Sequence, residues 1–214
     1  MTLPYRHIAF EGPMCSGTTQ LARQMAPALG GEAVFDVGDN PFLSQFYREK
    51  PGSAFKTQLF FLLNRHQVLS ELNQPSLFHQ VIISDFILEK DRIYAYQNLS
   101  DSELMIYEKL YGLLCQEMVK PDLVVYLQMA PDKVIDLVRK RRGTGLYTIA
   151  DEYIDSVVEG YNRFFFHYTE TPLIIVNAND VQFDRDKVAF NDLLQFLKRS
   201  HRGVTYFTPQ IGEP

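Results

Sequence analysis

Four short runs, at residues 7–10, 81–84, 123–127 and 173–176, are almost wholly apolar, and long stretches of helical periodicity separate them. A strand covered on both faces reads this way, because neither alternating set of side chains meets water. Residues 32–35, after the Gly30-Gly31 pair, form a weaker fifth run. Helical patterns cover residues 18–29, 54–72, 102–118, 131–141, 151–166 and 187–199, and Ser100 with Glu103 makes an S-x-x-E capping box at the start of the third. Strands alternating with long helices favour parallel pairing, so the expected class is α/β. No internal repeat, low-complexity tract or Pro/Gly-rich linker divides residues 1–202, which are expected to form one domain. Residues 203–214, with two prolines and little periodicity, are expected to be a tail.

The 214 residues, 46% hydrophobic and 22% charged, suffice for one core of ordinary size. Lys+Arg total 21 against Asp+Glu 26, a formal charge of −5, which argues against nucleic acid or an anionic membrane as partner. Any anion must therefore be held locally. Cys15 and Cys115 stand far apart with no CxxC and no histidine-rich neighbourhood, so neither a disulfide framework nor a zinc site is expected, and a cytoplasmic location fits. No run approaches the roughly 18 apolar residues that span a bilayer, and the first residues do not read as a leader.

Directly after the first run the chain reads Gly12-Pro13-Met14-Cys15-Ser16-Gly17-Thr18-Thr19 and enters a helical pattern. A glycine-bounded loop between strand and helix aims backbone N–H groups and a helix N-terminus at one point, which is the anion cradle of the Walker A pattern G-x-x-x-x-G-K-[ST]. The plainer alternative is an ordinary strand-to-helix turn. Thr18 stands where the pattern has lysine, and Thr19 keeps the hydroxyl that would ligand Mg²⁺. Threonine donates a hydrogen bond but carries no charge. Losing one pre-organised electrostatic stabiliser costs about 3 kcal/mol in the transition state, roughly two to three orders of magnitude in rate. Binding depends less on that side chain, because the cradle is made of backbone.

Further segments follow in order: Asp39-Asn40-Pro41-Phe42-Leu43, Thr57-Gln58-Leu59-Phe60-Phe61-Leu62-Leu63-Asn64-Arg65, Ser84-Asp85-Phe86, Asp91-Arg92-Ile93-Tyr94-Ala95, Pro121-Asp122-Leu123-Val124-Val125-Tyr126-Leu127, Tyr161-Asn162-Arg163-Phe164-Phe165 and Thr171-Pro172-Leu173. With the loop, and over nearly the whole chain, they resemble the deoxynucleoside kinases, in particular the bacterial branch. The resemblance implies a three-layer α/β/α P-loop kinase-like fold with a five-stranded parallel sheet. It also implies homodimers packed through long helices, and transfer of the ATP γ-phosphoryl group to a deoxynucleoside 5′-hydroxyl with ATP and Mg²⁺ bound.

By the same resemblance, Gly12, Cys15, Ser16, Gly17, Thr18 and Thr19 cradle the nucleotide, with Arg139 and Phe183 beside it, the latter in a segment that borders the donor adenine. Gln58 and Arg65 match a base-reading glutamine and a substrate-site arginine, and Tyr47 is a further acceptor-site candidate. Seven residues is also two helical turns, so Gln58 and Arg65 equally describe two polar side chains on one helix face. Asp85 is placed to reach Mg²⁺, its water or the acceptor, since a carboxylate ending a buried strand is costly unless used or paired. Arg139-Lys140-Arg141-Arg142-Gly143 resembles the start of the lid that closes over donor phosphates, with Arg142 as the candidate catalytic arginine. The alternative is a solvated basic helix end complementing the dipole.

Several of the family's functional positions are changed. The general-base glutamate falls on Phe35 by ungapped count, with Asp36 next to it, and along a continuing strand Asp36 would point to the opposite face. Loss of a general base typically removes about 10²–10⁴-fold in rate. The arginine of the best-known animal relatives is absent after Asp85, though Ser84-Asp85-Phe86 resembles the bacterial form and is not by itself degeneration; the lid segment lacks its acid, and Cys15 occupies a loop position that is usually glycine. If that position needs positive φ, cysteine adds about 1–2 kcal/mol of strain. These changes fall on chemistry, whereas the fold-bearing stretches keep the pattern. Weak or lost phosphoryl transfer is therefore expected. In the active alternative, Arg142 or Lys56 stands in for the lysine and Asp36 for the base. In the others the chain is a non-catalytic nucleotide or deoxynucleoside binder, or the regulatory partner of an active paralogue in a heterodimer.

Overall fold

The computed structural model describes residues 3–72, 81–141 and 149–210. Six strands form a single parallel sheet: β1 (His7–Glu11), β2 (Glu32–Val34), β3 (Ile82–Ser84), β4 (Leu123–Gln128), β5 (Leu173–Asn177) and β6 (Val204–Phe207), in the order β2-β3-β1-β4-β5-β6. The helices are α1 (Thr18–Ala28), α2 (Leu43–Phe46), α3 (Ser53–Leu72), α4 (Lys90–Asn98), α5 (Asp101–Leu114), α6 (Pro131–Arg141), α7 (Asp151–Phe166) and α8 (Lys187–Leu197). The α/β expectation therefore holds, with six strands rather than five. The sixth comes from the segment read as a tail: residues 204–207 pair with β5 through Leu173–Val204 to Val176–Phe207.

Alternation within the apolar runs sorts side chains between two layers. On β4, Leu123, Val125 and Leu127 join Ile8, Phe10, Leu21 and Leu193 on one face, while Val124 and Tyr126 join Ala9, Val157 and Phe165 on the other. Tyr126 stacks on Phe165 at 4.2 Å between ring centres. A third apolar cluster, with Leu62, Leu69, Phe86 and Tyr107, binds α3 and α5 to the segment after β3. Ser100 and Glu103 do cap α5, which ends at Leu114 and passes into a single 3₁₀ turn, Cys115–Glu117, earlier than the pattern suggested. Among the described residues no helix is long and apolar enough to cross a membrane.

β1 lies at the centre of the sheet, and the chain leaves it toward β2 on one side but leaves β4 toward β5 on the other. In open parallel sheets such a reversal opens a crevice at the carboxyl ends of the strands, where ligands bind. The Gly12–Thr19 loop, Asp36 and Asp85 follow β1, β2 and β3 at that edge.

Candidate active site

The segment after β1 is a tight, glycine-bounded loop that leads into a helix. Gly17 at φ 89° leads directly into α1, and Cys15 is also left-handed, at φ 63°. The strain expected at Cys15 is therefore present. A Cβ on Gly12 would sit 2.6 Å from Ser16 Oγ and 3.1 Å from the Leu127 carbonyl, so any larger residue would displace Ser16 and crowd the neighbouring strand. Ser16 Oγ is buried without a hydrogen-bond partner among the described residues. A tight loop with an orphaned hydroxyl and a free helix N-terminus suits an anion.

Beside it opens a cavity of about 640 Å³, lined by Cys15, Ser16, Gly17, Lys133, Arg141 and Phe183 among others, a volume suited to a nucleotide. The Arg141 guanidinium reaches Cys15 Sγ at 3.9 Å. Arg139, expected at the nucleotide, instead pairs with Asp151 on α7 and does not line the cavity. Successive helical residues turn by about 100°, so positions 139 and 141 face nearly opposite ways. Arg142 lies outside the described residues. Lys56 is exposed on α3, away from that helix's buried face of Thr57, Gln58 and Arg65.

Thr18 and Thr19 begin α1, and the Thr19 hydroxyl donates to Asp85 Oδ2 at 2.5 Å. Asp85 follows β3 immediately, and its Oδ1 accepts the Asp36 backbone N–H at 2.6 Å. The Thr19 and Asp85 oxygens are the hard donors a magnesium ion prefers. Among the described residues no group of three or more His, Cys, Asp or Glu side chains is placed to hold a metal ion.

β2 ends at Val34, so strand alternation no longer dictates where Asp36 points. Phe35 turns toward α1, with Arg23 stacked 5.1 Å from its ring centre. Asp36 turns into the site. Arg65 donates to it from Nε at 2.9 Å and from a terminal nitrogen at 2.8 Å, Lys90 Nζ lies at 3.2 Å, and the Val37 N–H bonds at 2.9 Å. Both carboxylate oxygens are thus engaged by cations. Burial alone would raise its proton affinity, but Arg65 and Lys90 outweigh that and hold the carboxyl well below its ordinary range. A carboxylate so held is a weak proton acceptor.

Glu11, Lys90 and Asp91, none of them among the candidate site residues named from sequence, complete this cluster. Glu11, fully buried, accepts from the N–H groups of Gly12 and Ile87 and from the Tyr161 hydroxyl, with Lys90 Nζ at 3.6 Å. Burial pushes its carboxyl up, against Lys90 and the backbone donors. Asp91 accepts from Arg65 and, at 2.7 Å, from the Tyr107 hydroxyl. Gln58 Nε2 donates to the Asp91 carbonyl at 2.8 Å, so Gln58 and Arg65 do share one buried helix face. Tyr47 packs on Phe46 with ring centres 5.1 Å apart, and Phe46 packs on Tyr153. Burial raises the pKa of the Tyr47 hydroxyl.

A glycine-bounded loop after the central strand of a parallel sheet, with the carboxylate that follows the neighbouring strand bonded to its last threonine, is the arrangement of the P-loop kinase-like fold. The deoxynucleoside kinase family model matches residues 8–200, and the chain belongs to that family. It is 30% identical to the deoxyguanosine kinase of Bacillus subtilis over 162 residues, 75% of this chain and 77% of the relative. With the deoxyadenosine kinase of Dictyostelium discoideum it shares 25% identity over 217 residues, 97% of this chain and 84% of the other. Among solved structures, the deoxyadenosine kinase of M. mycoides with bound dATP superposes with a TM-score of 0.73 at 24% identity, covering 90% of this chain and all of that one (100%). The same enzyme with bound dCTP superposes at 0.71 and 23% identity, over 88% of this chain and 99% of that one.

Proposed function

We propose that the protein binds an ATP-type nucleotide, with Mg²⁺, at Gly12–Thr19 and a purine deoxynucleoside beside Gln58 and Arg65, and that its phosphoryl transfer is weak. One juxtaposition carries the reading: a complete backbone cradle has Thr18 where the transferring group needs a fixed charge. Thr19 and Asp85 would hold the ion, which supplies charge neutralisation at the phosphates when bound. Phe183 borders the donor end of the cavity. Lys133, Lys140 and Arg141, which line the same cavity, favour phosphate binding. Asp36 is engaged by two cations and so contributes position rather than strong basicity. The purine preference rests on the deoxyguanosine and deoxyadenosine kinases among the relatives.

The reading includes a cytoplasmic protein that pairs with a second copy or a paralogue. α5 exposes Met105, Ile106 and Leu113, the last 69% accessible, and pairing through this face would remove that apolar surface from water. The deciding assay is ATP-dependent phosphorylation of the four common deoxynucleosides with Mg²⁺. Turnover in the ordinary kinase range of about 1–100 s⁻¹ would overturn the weak-transfer reading. Absence of both turnover and saturable nucleotide binding would overturn the binding reading and leave a regulatory partner.

A further inference from the structure

Lys90 is an uncommon placement for a lysine. It is the first residue of α4, where the helix dipole disfavours a cation, and its side chain is only 14% exposed. Removing an ammonium from water is costly, and burial here works against the charge, yet Glu11 and Asp36 keep it firmly protonated. Neither carboxylate needs Lys90 for its hydrogen bonds. Glu11 already accepts from Gly12 N–H at 2.9 Å, Ile87 N–H at 3.1 Å and the Tyr161 hydroxyl at 3.2 Å. Asp36 already accepts two bonds from Arg65 and one from its neighbour. The ammonium lies farther from each, at 3.6 and 3.2 Å.

The two partners bracket the phosphate loop. Glu11 is bonded to Gly12 at its first residue, and Asp36 is linked through Asp85 to Thr19 at its last. What solvent contact the cluster keeps is on the Lys90 side: Lys90 and Asp36 are 14% and 16% exposed, against 0% for Glu11 and 4% for Arg65. A lysine is a compact charge on a flexible four-carbon stem, able to shift toward an anion held at the adjoining loop.

We infer that Lys90 supplies, from the acceptor side, the positive charge for a bound triphosphate's terminal phosphate that Thr18 does not supply from the loop. The inference rests on the reading that Gly12–Thr19 holds a nucleotide. Lys90 is a positioning residue for that phosphate and leaves the rest of the nucleotide to the backbone cradle. Its charge is shared with two carboxylates, so it supports binding without restoring full transition-state stabilisation.

Calorimetry with Mg·ATP, Mg·ADP and AMP separates the possibilities. The wild-type protein should prefer Mg·ATP to Mg·ADP. Lys90→Met should weaken Mg·ATP by about tenfold to a hundredfold, the worth of one charge-assisted contact, and leave Mg·ADP and AMP unchanged. Lys90→Arg should retain most of the preference, and Thr18→Lys added to Lys90→Met should restore it. Should Lys90→Met fail to fold, Lys90→Met with Glu11→Gln removes the unpaired buried charge and carries the same comparison. Equal weakening of all three ligands, undiminished Mg·ATP affinity, or no rescue by Thr18→Lys would overturn the inference while leaving nucleotide binding intact. Failure of the wild-type protein to bind Mg·ATP at all would overturn the binding reading, and the role of Lys90 with it.

Discussion

Replacing Arg65 by methionine tests the electrostatics of the buried cluster. Arg65 is 4% exposed and bonds Asp36 twice, at 2.9 and 2.8 Å, as well as Asp91. Methionine preserves most of the apolar stem beside Phe61, so the change is chiefly loss of charge. Removing one partner from a buried ion pair typically costs about 3–5 kcal/mol, because the survivor stays desolvated. Two carboxylates survive here, one still near Lys90 and the other bonded to Tyr107, and a loss of about 3–5 kcal/mol is expected. For a chain of this size that lowers Tm by about 6–20 °C.

The pH dependence of that loss is a sharper signature. In the wild-type protein the Asp36 carboxyl is held low, so its stabilisation is fully present above its unfolded pKa of about 3.9 and is lost as pH falls toward the folded value. In the variant, proton affinity at both carboxylates rises, and the folded form holds protons that the unfolded chain releases. Stability then falls as pH rises, and the difference between the two proteins widens between about pH 4 and pH 7. Urea unfolding followed by circular dichroism measures it. A variant within about 1 kcal/mol of wild type at neutral pH, or a difference independent of pH, would refute the cluster's assigned electrostatics. Adding Asp36→Asn and Asp91→Asn should recover much of the loss.

Burial pushes the His7 imidazole down to about 4, against the pull of Asp122, while Nε2 lies 2.8 Å from Ser84 Oγ. Stability from neutral His7 is therefore complete above its unfolded pKa of about 6.5 and declines as pH falls toward 4, by about 3 kcal/mol in all; His7→Gln should flatten that slope in urea titrations. Cys15→Gly should relieve about 1–2 kcal/mol of left-handed strain and lose about 0.5–1 kcal/mol to chain entropy, a net gain of up to about 1.5 kcal/mol. A lower Tm would argue against strain at Cys15. Thr18→Lys should raise kcat by about 10²–10³ with little change in KM for the deoxynucleoside, because the added charge acts on the nucleotide's phosphates and not on the acceptor. Equal changes in both constants would place the lysine's effect elsewhere.

The sequence disclosed what is decided locally or by uniform burial. β1, β4 and β5 read as strands because nearly all their residues are covered on both faces. The phosphate loop read clearly because glycine spacing fixes its backbone. β6 was missed because it is an edge strand with Val204 and Tyr206 exposed, beside prolines and without a continuous apolar run. α4 opens with Lys90, Asp91 and Arg92, which resemble a solvated surface, yet Asp91 is fully buried and Lys90 nearly so. Only pairing with residues distant in sequence makes that burial affordable. The direction of Asp36 depended on where a three-residue strand stops, which periodicity does not resolve.

The two halves of the site rest on unequal foundations. The phosphate loop grows from the central strand, anchored by hydrogen bonds on both sides and by a fully buried Glu11. Asp36 follows the three-residue rim strand β2, and Tyr47 follows the four-residue helix α2. The loop is tied to the most deeply buried strand, whereas the rim rests on short elements at the sheet's edge and can loosen at lower free energy. Nucleotide would thus meet a preformed seat, and the second ligand would bear most of the ordering entropy, making its affinity the more sensitive to temperature and to changes in the surrounding loops.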